Sequence, residues 1–334
     1  MSAIALPMHQ VDCRWLLALY AIIPACLGLV LLDVLVMDGQ GVAQYLPADP
    51  MHLPLWTVLF GLPHIIASLV TMADREYLQH YRRSLLWPLL IFAGISTAGI
   101  MGPQPYGSQA LFLFLAFYTI YHVLAQQLGL TLMMMGTPPS TTFKAWKWLA
   151  IVAGTLIYVT LYGASYLGYE AIHGISYYQL LNWAAALLCA GVLALAFGLS
   201  ARSRTRVGRW YLWGNVAMIL SALLINELGY TLFVILIPRV IHDVTAYMIY
   251  ISHDSNRNRE RPVNFIYRAL HFTRLPPGVL LPLVSVAIAF VLSSYQQLPL
   301  VSITVLTVGF LHYYFEGFIW RGPNPHRQHL VFRR

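Results

Sequence analysis

Charge is what this sequence has least of. Of its 334 residues only 10% are Asp, Glu, Lys or Arg, while 59% are hydrophobic and the mean hydropathy is +0.65. Soluble domains carry roughly a quarter charged residues, so the composition excludes a soluble fold and points to the bilayer. Acidic residues are the scarcer kind, 12 against 20 basic ones, for a net charge of +8. That excess does not imply a nucleic-acid partner, because the basic residues form short clusters between apolar runs, as in the loops of membrane proteins. Cysteine is scarce too. Cys13, Cys26 and Cys189 form no CxxC, and the last two lie within apolar runs; a disulfide framework and a thiolate metal site are both excluded. A cleavable signal peptide is also missing: the first apolar run, Trp15 to about Met37, is too long for one and lacks a small-x-small cleavage site. It is expected to stay as the first helix. No internal repeat, low-complexity tract or soluble domain interrupts the chain, which reads as one membrane domain over 1–334.

Long apolar runs are what the sequence has instead. Crossing a hydrocarbon core of roughly 30 Å takes about 20 helical residues. The runs predict an all-α, polytopic transmembrane bundle of about ten spans, near 15–37, 53–73, 84–102, 109–136, 146–168, 176–199, 210–227, 231–252, 276–294 and 300–320. The break between the seventh and eighth rests on Asn226, Glu227 and Gly229. The basic residues test the parse independently. Arg14, the group Arg75, Arg82 and Arg83, the pair Lys144 and Lys147, and the run Arg202, Arg204, Arg206 and Arg209 all fall on one side of it. So do Arg257, Arg259, Arg261, Arg268 and Arg274, and the tail residues Arg321, Arg327, Arg333 and Arg334. The opposite side carries Asp38, Asp49, Glu170 and Glu227. Both termini are therefore expected to be cytoplasmic, in a multi-pass protein of the cytoplasmic membrane. The longest cytoplasmic loop, about 253–275, holds HDSNRNRERP and a short amphipathic stretch around Phe265–Phe272.

The one remaining basic residue, Arg239, falls inside the eighth span. An ionisable side chain in hydrocarbon costs several kcal/mol and is a functional candidate by default. The group is small: Asp33, His64, His122, Arg239, His242, Asp243, His312 and Glu316. Its four histidines sit on spans two, four, eight and ten, which all run in one direction. They lie about 11 to 13 residues into their spans, hence within about 3 Å of a common depth at roughly 1.5 Å of rise per residue. A lone intramembrane histidine is ordinarily a helix–helix hydrogen-bonding group. Four at one level can converge on a single metal ion. Neutral imidazole suits iron, copper, zinc or nickel, and four nitrogens leave a six-coordinate iron positions for dioxygen or substrate.

Several neighbours are candidates for positioning such a site. Glu316 is four residues from His312 and shares its helix face. Arg239 and Asp243 have the same spacing and are expected to neutralise each other as an intramembrane ion pair. Gln126 lies one turn after His122 and Tyr118 one turn before it. His253 repeats the His-Asp dipeptide of His242–Asp243, but roughly 16 Å further along the helix, and is expected to be a solvated residue at the membrane edge. His9, His52, His80, His173, His271, His326 and His329 fall in loops or tails and read as surface groups. The aromatic clusters Phe112–Tyr121 and Tyr313–Trp320 read mainly as interfacial belts and packing. A minority of them would line a cavity for a long apolar substrate.

The four histidine contexts are GLPHIIAS at 61–68, YHVLAQQ at 121–127, VIHDVTA at 240–246 and LHYYFEGFIWR at 311–321. In that order they resemble the motifs of the Brp/Blh-type bacterial β-carotene 15,15'-dioxygenase family. Gly61–Leu62–Pro63–His64 is the closest match, and His312, Glu316 and Arg321 approximate the last motif, with Glu for Asp and one extra residue before Arg. The resemblance implies a helical membrane fold and non-haem Fe(II) held by His64, His122, His242 and His312. It also implies cleavage of a carotenoid double bond by dioxygen, on an apolar small-molecule substrate drawn from the bilayer of a bacterial inner membrane. The departures are Ile65–Ile66–Ala67–Ser68 after the first motif, Val123 where Phe is usual, and no basic residues after the third; the match covers about a tenth of the chain. Two further readings use the same residues. A haem-binding electron-transfer protein would take two of the histidines, and a proton-coupled transporter would use His64, Arg239, Asp243 and Glu316 as a relay. Diiron hydroxylase clusters of the HxxxH and HxxHH kind are absent.

Overall fold

The computed structural model describes residues 8–46, 61–168, 171–172 and 174–333. The expected start of the second span, with Asp49 and His52, lies outside them, as do Glu170 and His173. The chain is all-α, as expected. Its helices are α1 (Cys13–Val36, with one 3-10 turn), α2 (Leu62–Met72), α3 (Arg75–Met101), α4 (Tyr106–Met135), α5 (Thr141–Leu167) and α6 (Tyr177–Arg202). They continue as α7 (Arg206–Glu227), α8 (Thr231–Arg257), the short α9 (Phe265–Ala269), α10 (Pro277–Ser294), α11 (Pro299–Ile319) and the short α12 (Pro325–Gln328).

Eight of these helices are long and apolar enough to cross a membrane; α2, α7, α9 and α12 are not among them. The two that correspond to expected spans differ for separate reasons. Only 11 residues of α2 are described, and α7, though 22 residues long, carries Arg206, Arg209, Asn215, Asn226 and Glu227. Apolar side chains such as Leu35, Trp87, Leu187 and Leu300 are more than two-thirds exposed, while His64, Gln127, Asn215 and His312 are buried. This outward-apolar, inward-polar distribution suits lipid and not water.

Side-chain caps set several helix starts. Asp74 accepts from Glu76 N (2.9 Å), so α3 begins well before the expected residue 84 and takes in Arg82 and Arg83. Ser140 accepts from Phe143 N, bringing Lys144 and Lys147 into α5. Ser176 and Gln179 form a capping box on α6, and Thr205 accepts from Gly208 N (2.9 Å) to start α7.

The fold divides into two units. The first comprises residues 8–12, 61–112 and 243–333, and the second 13–46, 113–242. Helix α8 passes from the second into the first between His242 and Asp243. In the first unit α11 packs on α3 and α2, and α10 packs on α2. Leu62, Ile66, Ala67, Val70, Ala246, Tyr250, Leu281 and Ala289 form its core. In the second unit α5 packs against α6, and α7 against α5, α6 and α1. Buried polar pairs lock that unit. Gln127 Oε1 accepts from Tyr20 and Tyr211 hydroxyls (3.2 and 2.9 Å), and Asn215 Nδ2 donates to Thr131 Oγ1 (3.0 Å). Asp33, a candidate from the sequence, accepts from Gly41 N, Ala43 N and the Tyr230 hydroxyl. It closes the turn after α1.

At the end of the first unit where α8 stops, two expectations are corrected. His253 and His326 are not surface residues; both are fully buried. The chain returns there, with strand Val331–Arg333 pairing in parallel with Gln10–Asp12, and Asn256 Nδ2 donating to the carbonyls of His9 and His329. The His326 ring stacks on Tyr77 (3.8 Å between centroids) and His253 (5.0 Å), and its Nδ1 lies 3.3 Å from the Tyr81 hydroxyl. Arg257 donates to Asp74 (2.9 Å) and Glu76 (2.7 Å).

Two outcomes follow from this packing. A Cβ on Gly208 would lie 2.4 Å from Met135 Cα and 2.7 Å from Met134 C, whereas one on Gly198 meets nothing within 4 Å. Gly208→Ala should therefore cost about 1–3 kcal/mol as overpacking, read as a lowered thermal midpoint, while Gly198→Ala, inside a helix with open space, holds or raises it; equal midpoints for the two would show that this approach is not tight. Burial, then the neighbouring imidazoles and Arg257, pushes the His326 pKa down to about 2, against about 6.5 in the unfolded chain. Between those values the unfolded state binds a proton that the folded state does not, so this stability is complete above the unfolded pKa and is lost as pH falls through the window. The thermal midpoint should drop from pH 7 to pH 5, and His326→Phe should flatten that slope by up to about one proton. A slope identical in the variant would refute the assignment.

Candidate metal centre

Each of the four intramembrane histidines owes its position to local chain chemistry. Gly61 has φ +102° and ψ −81°, a conformation that only glycine adopts without strain. It turns the chain into α2, and Pro63 follows in the first turn, where its missing N–H costs nothing. His64 then sits at the start of the helix, with α2 buried along nearly its whole length. His122 lies in the middle of α4. His242 comes four residues after Pro238, which cannot donate to the Val234 carbonyl and so opens the helical ladder one turn earlier. His312 stands near the middle of α11, where Gly309 admits Ile65 of α2 to 3.8 Å of its missing Cβ.

All four imidazoles are at most 4% exposed. His64 and His312 meet edge to face with ring centroids 5.0 Å apart, and His122 and His242 do the same at 4.8 Å. The four form one group in which a ring nitrogen from each lies within 4.8 Å of all the others. Two nitrogens on opposite sides of an ion with bonds of about 2.1 Å are about 4.2 Å apart, so the donor set is close to a coordination sphere. The residues fit a metal ion: buried, neutral-capable nitrogens and nothing else in the group.

Polar neighbours fix which nitrogen faces inward. Ser68 Oγ is 2.6 Å from the Ile65 carbonyl and 2.7 Å from His312 Nδ1. A hydroxyl has one proton, which the carbonyl takes; Oγ then accepts from Nδ1–H, and His312 Nε2 keeps its lone pair. His64 Nδ1 lies 3.1 Å from Asp243 Oδ1. This places the imidazole and a carboxylate side by side in a buried setting. The second oxygen of Asp243 accepts from Gly61 N at 3.0 Å, so the carboxylate beside His64 also ties down the turn that presents it. Glu316 Oε2 is 4.0 Å from His312 Nε2. Its other oxygen accepts from the Tyr250 hydroxyl and lies 3.5 Å from Trp320 Nε1.

The other sequence candidates fall in two groups. Tyr118 belongs to an aromatic ladder with Phe114 (5.5 Å) and Tyr121 (6.4 Å), the latter stacking on Trp148; Gln126 is half-buried one turn from His122. Arg239 lines an apolar cavity in the second unit. Ser68 and Tyr250 were not singled out from the sequence. The available signal for Ser68 was its spacing of four from His64 along the same face of α2. No protein-family model matches the chain, and neither does any curated protein or solved structure. Fold and site together define a multi-pass, membrane-type protein with a buried four-histidine group able to hold a metal ion.

If Ser68 steers His312, then Ser68→Ala should weaken metal binding by about 10–100-fold, with the fold intact, as measured by titration against a competing chelator. Ser96→Ala, at a buried serine on α3, is the control and should leave affinity unchanged. Equal affinities in the two variants would remove Ser68 from the site.

Proposed function

We propose that the four-histidine group holds a non-haem Fe(II) ion and that the protein is a membrane oxygenase acting on an apolar, lipid-soluble substrate, carotenoids being the class its motifs resemble. The observation that carries this reading is the convergence of His64, His122, His242 and His312, four buried nitrogens within 4.8 Å of one another. Four neutral imidazoles leave two positions free on a six-coordinate ion. Bound iron would supply the one-electron chemistry that makes dioxygen reactive.

The chain's own residues perform the remaining tasks. Ser68 keeps the proton on Nδ1 of His312, so its inward nitrogen is free to act as a ligand, and Asp243 places a negative charge beside His64. Glu316, held by Tyr250 and Trp320, places a carboxylate at the edge of the group. Burial of all four rings excludes water from the reacting atoms. The pattern of basic residues supports cytoplasmic termini, with substrate and dioxygen reaching the site from the bilayer. A haem is disfavoured on steric grounds. It would separate two imidazoles by a flat macrocycle, and the other two, within 4.8 Å of both, occupy that space.

The test is elemental analysis of protein purified anaerobically with added iron, with each of the four histidines changed to Ala in turn. About one iron per chain, lost in every variant, together with oxygen uptake on adding β-carotene, is the expected result. Iron undiminished in the variants, no bound iron at all, or a Soret band would overturn the reading.

A further inference from the structure

The first unit holds a second buried polar cluster, at the end where α8 stops, and the oxygenase reading makes no use of it. At its centre is Tyr77 of α3, fully buried, with His253 Nε2 2.9 Å from its hydroxyl. Among the described residues that hydroxyl has no other hydrogen-bond partner. A buried O–H that only accepted would leave its own proton unsatisfied. The phenol therefore donates, Nε2 accepts, and the imidazole carries its proton on Nδ1. That nitrogen is 2.8 Å from Asp254 Oδ1, while Asp254 Oδ2 accepts from the Thr71 and Tyr267 hydroxyls at 3.1 and 2.7 Å. Tyrosine, histidine and aspartate are thus hydrogen-bonded in series, away from water.

Such a series is what a phenol needs in order to give up an electron. Loss of an electron makes the hydroxyl strongly acidic, so oxidation inside a protein is easy only where a base already touches the proton. His253 is that base, and Asp254 stabilises the imidazolium that forms. The Arg257 guanidinium lies 5.0 Å over the Tyr77 ring, but Asp74 and Glu76 pair with it and offset its charge.

Aromatic rings connect this cluster to the histidine group. Glu316 lies against His312, and its other oxygen meets the Tyr250 hydroxyl and Trp320 Nε1. The Tyr250 and Trp320 rings are 6.0 Å apart. Trp320 is 5.8 Å from His253 and 5.6 Å from His326, and the His326 ring stacks on Tyr77 at 3.8 Å. Tyrosine and tryptophan are readily oxidised by one electron, and no step between neighbouring rings here exceeds 6.0 Å.

We propose that Tyr77 is a redox-active tyrosine, and that Tyr250 and Trp320 carry oxidising equivalents to it from the four-histidine group. Tyr77 gives one electron, through Trp320 and Tyr250, to an oxidised metal ion left without substrate, and the ion is reduced by one electron. The phenolic proton passes to His253 Nε2. A neutral phenoxyl then stands beside an imidazolium held by Asp254. A thiolate reaching the edge at Glu76, which is exposed, returns the electron and ends as a thiyl radical, while the proton goes back from Nε2. Oxidising power is drawn off before it damages the imidazoles. The source of the oxidant rests on the proposed function; the tyrosine–histidine pair does not.

The experiment uses the full chain in lipid nanodiscs and has two arms. In the first, metal-free protein is oxidised by flash-generated ruthenium(III) tris-bipyridine, with a cobalt(III) ammine as quencher, and frozen for EPR. The expected result is a phenoxyl signal that is lost in Tyr77→Phe and kept in Tyr106→Phe, at an exposed tyrosine. In heavy water, double-resonance spectra of the unaltered protein should show an exchangeable deuteron hydrogen-bonded to the phenoxyl oxygen. A full signal in Tyr77→Phe, or no such deuteron, would overturn the pair. In the second arm iron-loaded protein meets dioxygen with no substrate added. The same phenoxyl should form and should be lost in Trp320→Phe, although that variant still gives it in the first arm. Iron bound without a phenoxyl, or a phenoxyl undiminished in Trp320→Phe, refutes the route. Failure to bind iron refutes the metal reading instead, and the first arm decides the tyrosine by itself.

Discussion

The constraint on which the rest depends is the cost of placing imidazole lone pairs where water cannot reach them. A neutral imidazole has one donor nitrogen and one acceptor nitrogen. At His312 the donor is directed at Ser68, which turns the acceptor toward the remaining ring nitrogens of the group. Several lone pairs facing one another repel, and a cation at their centre converts that repulsion into coordination. A fold that uses a serine to set an acceptor and a positive-φ glycine to present a ring is suited to hold an ion, because metal binding would return the free energy that assembling the donors costs.

Helix α8 concentrates this arrangement in two turns. Within five residues it carries Arg239 at the cavity, His242 of the four-histidine group and Asp243, which lies against His64 and receives Gly61 N. Successive residues on a helix point about 100° apart, so His242 and Asp243 necessarily address different sides of it. That adjacency lets one helix supply both a member of the histidine group and a neighbour for the histidine on α2. A single-residue insertion there would rotate every one of these roles away from its partner.

What could be read from the sequence follows from which interactions are local. Hydropathy finds the helices, since length and apolarity are properties of contiguous residues, and the common depth of the four histidines follows from counting along them. The same reasoning assigned Asp243 to Arg239, because a spacing of four is visible in one helix. Its contacts with His64 and Gly61 join segments far apart in the chain and were not visible. Ser68 was missed for the same reason: inside an apolar helix a serine reads as a small packing residue until α11 is laid against α2. His253 and His326 were read as surface groups because they sit at the end of a helix and in a tail. The returning C-terminal strand, which buries them, has only three residues and no hydropathy signature. Helix α7 was expected as an apolar span, yet its polar residues lower its hydropathy because Asn215 faces inward to Thr131 and the Tyr211 carbonyl.

Apolar side chains against lipid and against one another give little preference for one axial position of a helix over the next, since the alternatives bury similar surface. Helix α4, which carries His122, is pinned by polar contacts instead. Gln127, five residues on, is gripped by Tyr20 of α1 and Tyr211 of α7; Thr131 meets Asn215; and at the helix end the Met134 carbonyl accepts from the Thr205 hydroxyl while Gly208 abuts Met135. These contacts specify the register of α4 to within a residue. They thereby set the height of His122 along its helix. The polar network of the second unit, chemically remote from the histidines, is therefore part of what fixes the position of His122.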